Sequence, residues 1–166
     1  MTEYLTVRRA RTTDVRAIKW IVDRYVGRVL LAKDLVSLYE DVQEFWVAEL
    51  GGELVGCGAL HVLWEDLAEL RTIAVLPHVR GYGIGHALVD ALLAAAKELG
   101  IARLFVLTFE TAFFARHGFA ETDDTVVGPE VFDEMRRSLD DGVAEFLDLP
   151  SARPNTLGNN RMLLVL

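Results

Sequence analysis

The spacing of apolar positions changes along the chain, and each change predicts an element. Tyr4 to Arg9 alternates as a strand does, and Val15, Ile18, Ile21, Val22, Tyr25 and Val26 then recur at helical spacing. Thr12 or Thr13 is expected to cap that helix, with Asp14 adding a favourable first-turn charge. Asp34 is expected to cap a second helix running through Val42. Phe45 to Leu50 and Leu54 to Leu63 read as strands joined at Gly51-Gly52, a two-residue turn whose members both tolerate positive φ, so they pair antiparallel. A fourth strand, Glu69 to Val75, stops before Pro77, and a helix apolar on most sides runs from about Gly83 to Leu99, where Gly100 ends it. A strand at Arg103 to Thr108 and a short helix at Thr111 to His117, ended by Gly118, come next. The remainder is expected to hold a strand at Phe119 to Val127, a helix at Glu130 to Ser138, a loop at Pro150 to Asn155 and a terminal strand at Arg161 to Leu166. The order is a mixed α/β pattern, β-α-α-β-β-β-α-β-α-β-(α)-β, centred on a strand-loop-helix unit that carries the main glycine cluster.

A length of 166 residues suits one domain spanning residues 1–166, and a hydrophobic share of 52% is ample for its core. No apolar run approaches the roughly 18 residues of a membrane span, and the N-terminus lacks the pattern of a signal peptide. A single cysteine, Cys57, allows no internal disulfide, so a reducing cytoplasm is the expected compartment. The net charge of -8 argues against a nucleic-acid partner, which needs a basic face. It also means that an anionic ligand must be held by local geometry. His61, His78, His86 and His117 show no metal-ligand spacing with one another or with Cys57, so no metal is expected.

That local geometry is offered by Arg80-Gly81-Tyr82-Gly83-Ile84-Gly85. Three glycines at alternate positions let successive N–H groups converge on one point, and the start of the following helix adds partial positive charge there. Phosphate is the expected guest. No Lys-Ser/Thr follows to make a Walker loop, and the third glycine of a dinucleotide fingerprint would fall on His86 or Leu88. Kinases, GTPases and dinucleotide enzymes are therefore disfavoured.

With Arg80, Gly83 and Gly85 in the pattern Arg/Gln-x-x-Gly-x-Gly/Ala, the chain resembles the GNAT acetyltransferase superfamily. Pro77 in the turn and the downstream Phe113-Phe114-Ala115-Arg116-His117-Gly118-Phe119 fit the same pattern in order and spacing. The resemblance implies the GNAT fold, a mixed and mostly antiparallel sheet of about seven strands flanked by helices, with a V-shaped opening between strands four and five. It implies acetyl-CoA as cosubstrate, with Ile73, Ala74 and Val75 along the pantetheine arm, Arg80, Gly81, Tyr82, Gly83, Ile84 and Gly85 around the pyrophosphate, and Phe114 in the cofactor site. Main-chain N–H groups near Val75 would face the thioester oxygen, stabilising the charge that develops as an amine attacks.

An amine is mostly protonated at neutral pH, so a proton acceptor is needed near the thioester. Glu69 is the first candidate, since strand alternation puts Glu69, Arg71, Ile73 and Val75 on one face and the resemblance places a glutamate base there. Superfamily members often carry a tyrosine as general acid where this chain has Phe114, which cannot donate a proton; Thr111 is the remaining candidate, with a helix-cap role as the alternative.

Within the superfamily the chain is most similar to the acetyltransferase domain of N-acetylglutamate synthases, through Val7-Arg8-Arg9-Ala10 with Asp14, Val29-Leu30-Leu31 with Lys33, the fourth and fifth strands and Arg161-Met162-Leu163-Leu164. That likeness implies transfer of an acetyl group to the α-amino group of L-glutamate or L-glutamine, the first step of arginine biosynthesis, and allows a homodimer. Lys33, Arg71 and Arg161 are the expected clamps for substrate carboxylates. The competing readings are a protein N-terminal or lysine acetyltransferase, which needs an open peptide groove, and a non-catalytic acyl-CoA-binding module, suggested by Phe114.

Overall fold

The computed structural model describes residues 4–26, 30–123, 126–149 and 159–166. Its strands are β1 (Leu5–Arg9), β2 (Phe45–Leu50), β3 (Glu53–Trp64), β4 (Leu67–Val75), β5 (Arg103–Thr108), β6 (Ala120–Glu121) and β7 (Asn160–Val165). The helices are α1 (Val15–Asp23), α2 (Leu35–Glu40), α3 (Ile84–Glu98), α4 (Thr111–Ala115), α5 (Pro129–Met135) and α6 (Asp141–Phe146). Among the described residues no helix is long and apolar enough to cross a membrane. The strands form one sheet in the order β1-β2-β3-β4-β5-β7-β6, antiparallel throughout except between β4 and β5.

That exception shapes the molecule. β4 and β5 pair only at Leu67↔Arg103, Ala68↔Leu104 and Glu69↔Phe105. Past Glu69 the two strands separate, because β5 goes on pairing with β7 as far as Thr108↔Asn160 while β4 stays with β3 as far as Gly56↔Val75. The edge of β4 from Leu70 to Val75 that faces away from β3 therefore opens into a V-shaped cleft.

Alternation along β4 does not persist as the sequence suggests. Between Ala59↔Arg71 and Cys57↔Ala74 the partner strand advances two residues while β4 advances three. The extra residue makes a bulge at Thr72, whose φ of 58° is unusual for a β-branched side chain. Leu67, Glu69 and Arg71 share one face, but Ile73 joins Ala68 and Leu70 on the α3 side, where its Cγ1 and Leu92 close over Gly58. The expected common face of Glu69, Arg71, Ile73 and Val75 thus ends at the bulge.

Three apolar clusters brace the cleft. α1 and α2 pack Ile18, Ile21, Val22 and Leu38 against Phe45, Val47 and Cys57. α3 lays Val89, Leu92 and Ala96 on Leu70, Leu104 and Val106. α6 presents Val143, Phe146 and Leu147 to Leu67 and Phe105, with the Phe105 and Phe146 rings edge to face at 4.7 Å between centroids. The Gly51-Gly52 turn has φ values of 60° and 86°, in agreement with the sequence.

Other differences are local. The first long helix ends at Asp23, and the second at Glu40, where a 3-10 turn at Val42–Glu44 feeds β2. Asp14, not either threonine, caps the first turn: its carboxylate accepts the Arg11 N–H at 2.7 Å while Arg8 grips both of its oxygens. The strand expected at Phe119 to Val127 is limited to Ala120–Glu121, and residues 124 and 125 of that span lie outside the described residues. So does the expected loop at Pro150 to Asn155. The helix expected at Glu130 to Ser138 runs Pro129–Met135, and α6 follows it where no helix is foreseen.

Candidate active site

Two features meet at the cleft. At its α3 end, Gly81 and Gly83 have φ values of 89° and 75°, the left-handed region that glycine enters without strain, and a Cβ at either would meet nothing within 4 Å. Open space therefore lies over this main chain. The first-turn N–H groups of α3 have no intrahelical acceptor by construction, and no main-chain carbonyl among the described residues accepts from Gly81, Gly83, Ile84 or Gly85. The neighbouring Tyr82 N–H only reaches Val79 O at 3.4 Å. Arg80 and Tyr82 are exposed beside these donors, so the loop is a nest of unpaired N–H groups at the positive end of a 15-residue helix. Its shape and chemistry fit a diphosphate.

The loop is tied to the cleft. Tyr25 donates its hydroxyl proton to Val75 O and accepts from Arg80 Nη2 at 3.4 Å. The other side of the nest is braced by α4: His86 Nδ1 lies 2.8 Å from His117 Nε2, and the His86 ring stacks on Phe113 at 4.5 Å. A Cβ on Gly85 would touch the Phe113 ring at 3.3 Å, so glycine there permits this close packing.

At the other end lies a pocket of about 480 Å³ between β4, the loop before α2, and α6. Glu69, Arg71 and Lys33 all line it. Glu69 is only 4% exposed, and its Oε2 accepts from Arg71 Nη2 at 2.9 Å. Arg71 reaches the other way to Asp140 Oδ1 at 2.8 Å and lies flat on Gly142, where a Cβ would fall 2.7 Å from the guanidinium. Asp140 in turn caps α6 through Val143 N at 3.0 Å. Burial alone would raise the pKa of Asp140, but the charge and hydrogen bond of Arg71 bring it below the ordinary carboxylate value. Lys33 differs: its main-chain carbonyl is held by Lys19 Nζ at 3.0 Å, and no ion pair among the described residues engages its own amine.

The remaining predicted residues lie elsewhere. Arg161 does not line the pocket; its Nη2 donates to Phe146 O at 2.6 Å and its guanidinium lies over the Phe105 and Phe146 rings. Thr111 is the first residue of α4, with Glu110 in the cap position, and it is not among the pocket residues. Phe114 is buried against Phe113 and Phe119, a core residue under the cleft. Cys57 is fully buried, which pushes its thiol up to about 12 and makes it a packing group. Among the described residues no group of three His, Cys, Asp or Glu could hold a metal ion.

Residues 13–121 match the model of the Acetyltransferase (GNAT) family. The chain belongs to that family. As a GNAT acetyltransferase it is an acyl-transferring enzyme with acetyl-CoA as cosubstrate, and the diphosphate nest and the cleft beside β4 fit that molecule. The acetyltransferase is 67% identical over 163 residues, 96% of this chain and 94% of its relative, to a protein of Mycobacterium tuberculosis named amino-acid acetyltransferase. A solved structure from that organism, in complex with CoA and NLQ, superposes with a TM-score of 0.94 at 66% identity, covering 97% of this chain and 99% of that one. An N-acetylglutamate synthase from Neisseria gonorrhoeae, complexed with coenzyme A and N-acetyl-glutamate, shares the fold at a TM-score of 0.77 and 23% identity, over 98% of this chain and 35% of that one.

Asp140, Gly142 and Glu145 are among the pocket residues of the acetyltransferase that sequence reasoning missed. A signal was there: Asp140 followed by Val143, Phe146 and Leu147 at helical spacing marks a capped amphipathic helix. Tyr25 had no such signal, since its hydroxyl is useful only because the fold brings it to Val75.

Proposed function

We propose that the acetyltransferase transfers the acetyl group of acetyl-CoA to the α-amino group of a free amino acid, L-glutamate or L-glutamine, as the first step of arginine biosynthesis. The observation that carries this reading is the pocket of about 480 Å³ in which Glu69 and Lys33 meet beside the splayed edge of β4. That volume is in the range of small-molecule sites. α6 and the loop before α2 wall it in, whereas a protein substrate needs an open groove. The close relative named amino-acid acetyltransferase supports the same substrate class.

In this reading Lys33 pairs with the substrate carboxylate and Glu69 accepts a proton from the attacking nitrogen, directly or through one water. Main-chain groups on the free edge of β4 near Val75 face the thioester, whose carbonyl gains negative charge during attack. Arg71, already joined to two carboxylates, orients Glu69 and contributes positive potential. Thr111, outside the pocket, carries no assigned role.

The pocket's charge bears on the choice between the two amino acids. Among the described residues its lining holds seven carboxylates against two cations, Lys33 and Arg71, and Arg71 is paired twice. Among the described residues a second carboxylate on the substrate would find no free cationic partner in this field, while a side-chain amide needs none, which favours glutamine. The test is a panel of free amino acids and N-terminal peptides with acetyl-CoA, reading CoA release. Turnover is expected with glutamine above glutamate; turnover confined to peptides would overturn the assignment.

A further inference from the structure

Acetylating an ammonium group removes two protons from nitrogen, which starts with three and ends as an amide with one. As the C–N bond forms and the C–S bond breaks, one proton ends on the sulfur of CoA; the other must leave for solvent. Glu69 is poorly placed to release it, being 4% exposed and covered by Arg71.

A second carboxylate lies on the same pocket. We propose that Glu145, on α6, is the proton exit: it takes the first proton from the incoming ammonium and returns it to water, leaving Glu69 to take the second as the C–N bond forms and to give it up to the departing sulfur, directly or through water. This rests on the reading of the pocket as the amine site. Glu145 lines the pocket with Glu69 and is only partly buried, so it connects the interior with the mouth. The helix that carries it is anchored. Asn159 lines the pocket with Glu145, and the Arg71–Asp140 pair fastens the start of that helix to the strand that carries Glu69.

The electrostatics agree with the geometry. Glu145 faces Glu69 and Arg71 from β4, Arg161 from β7 and the amide of Asn159. Burial and the Glu69 charge raise its pKa above the ordinary carboxylate value, against the opposing pull of Arg71, Arg161 and Asn159. A carboxylate tuned upward is a better proton acceptor.

The experiment compares Glu145→Gln and Glu145→Ala with wild type, using the amino acid that wild type turns over best and following kcat, KM and pH dependence. Because Glu145 must be ionised, its protonation contributes to the acid limb of wild-type kcat, and Glu145→Gln is expected to remove that contribution and leave only the one that Glu69 imposes. It is also expected to lower kcat by about 10-fold or more, toward the range for lost acid-base groups, with KM for acetyl-CoA unchanged, which also shows the variant to be folded. Added formate is expected to raise the rate of Glu145→Ala in proportion to its concentration, a rescue that a merely structural residue would not show. Wild-type kcat and an unchanged acid limb in Glu145→Gln would overturn the inference alone. Wild type inactive on every free amino acid would overturn the amine-site reading as well.

Discussion

Replacing Asp140 separates two jobs that one side chain performs. Its Oδ1 accepts from Arg71 Nη1 at 2.8 Å and from Val143 N at 3.0 Å, joining β4 to the first turn of α6. In Asp140→Ala both bonds go. A hydrogen bond to a charged group contributes about 1.5–3 kcal/mol and a helix cap about 1 kcal/mol, so the expected loss is about 3 kcal/mol. It sits at the low end of the roughly 3–5 kcal/mol typical of a broken buried pair because Arg71 keeps Glu69 as a partner. In Asp140→Asn an amide oxygen still caps Val143 and still accepts from Arg71. Only the charge is lost, at a cost of about 1 kcal/mol. For a chain of this size, thermal midpoints are expected to fall by about 6–12 °C and about 2–4 °C respectively.

The same pair makes a pH prediction whose sign is fixed. Asp140 has a folded-state pKa below its ordinary 3.8, so its contribution is complete above that value and disappears as pH falls through the lower, folded one. The stability gap between wild type and Asp140→Asn, measured by urea unfolding, is therefore constant near neutrality and closes below about pH 4. Equal midpoints for Ala and Asn, or a gap that survives in acid, would refute this account of how α6 is held.

Gly83→Ala puts an L residue at a φ of 75° where no atom lies within 4 Å, so the cost is backbone strain of about 1–2 kcal/mol and a rise in KM for acetyl-CoA as the nest distorts; unchanged kinetics would count against the nest. Glu69→Gln is expected to lower kcat by about 10²-fold with a changed pH profile, and near-wild-type turnover would remove it as the base. Lys33→Ala is expected to raise KM for the amino acid while leaving that for acetyl-CoA alone, because its amine is free of ion pairs among the described residues. Gly142→Ala is expected to push the guanidinium of Arg71 off its bed and lower kcat, since the new methyl would fall 2.7 Å from Nη2; kinetics like wild type would show that this contact is slack.

The sheet and the glycine loop were legible because each rests on local rules: period-two strands, a diglycine turn, and glycines at the start of a long helix. Lys33, Glu69 and Arg71 line one pocket. What escaped depends on pairing across distance. The bulge at Thr72 is written in the register of β3 against β4, and no propensity places a left-handed φ on a threonine. Arg161 reads as a clamp by its charge, yet its position opposite Leu107 sets its guanidinium against the Phe146 carbonyl and two rings. α6 was lost among the polar residues of 138–142, although its cap and apolar spacing are present.

The bulge accounts for how one strand would serve the two ligands proposed above. Without it, Glu69 and Ile73 would lie on one face, so the residue beside the thioester would compete with the acid-lined pocket for space. The extra residue turns Ile73 onto α3 and leaves Glu69 and Arg71 facing α6. On the proposed reading, cosubstrate runs along the open edge of β4 and the amine approaches from the face. An extended edge without partners is ordinarily a hazard for aggregation; here it lies inside a cleft between β4 and β5, where its free N–H groups can meet only what the cleft admits. Deleting Thr72 should therefore damage turnover far more than a smaller side chain at the same position, because the shift in register, not the hydroxyl, keeps the two approaches apart.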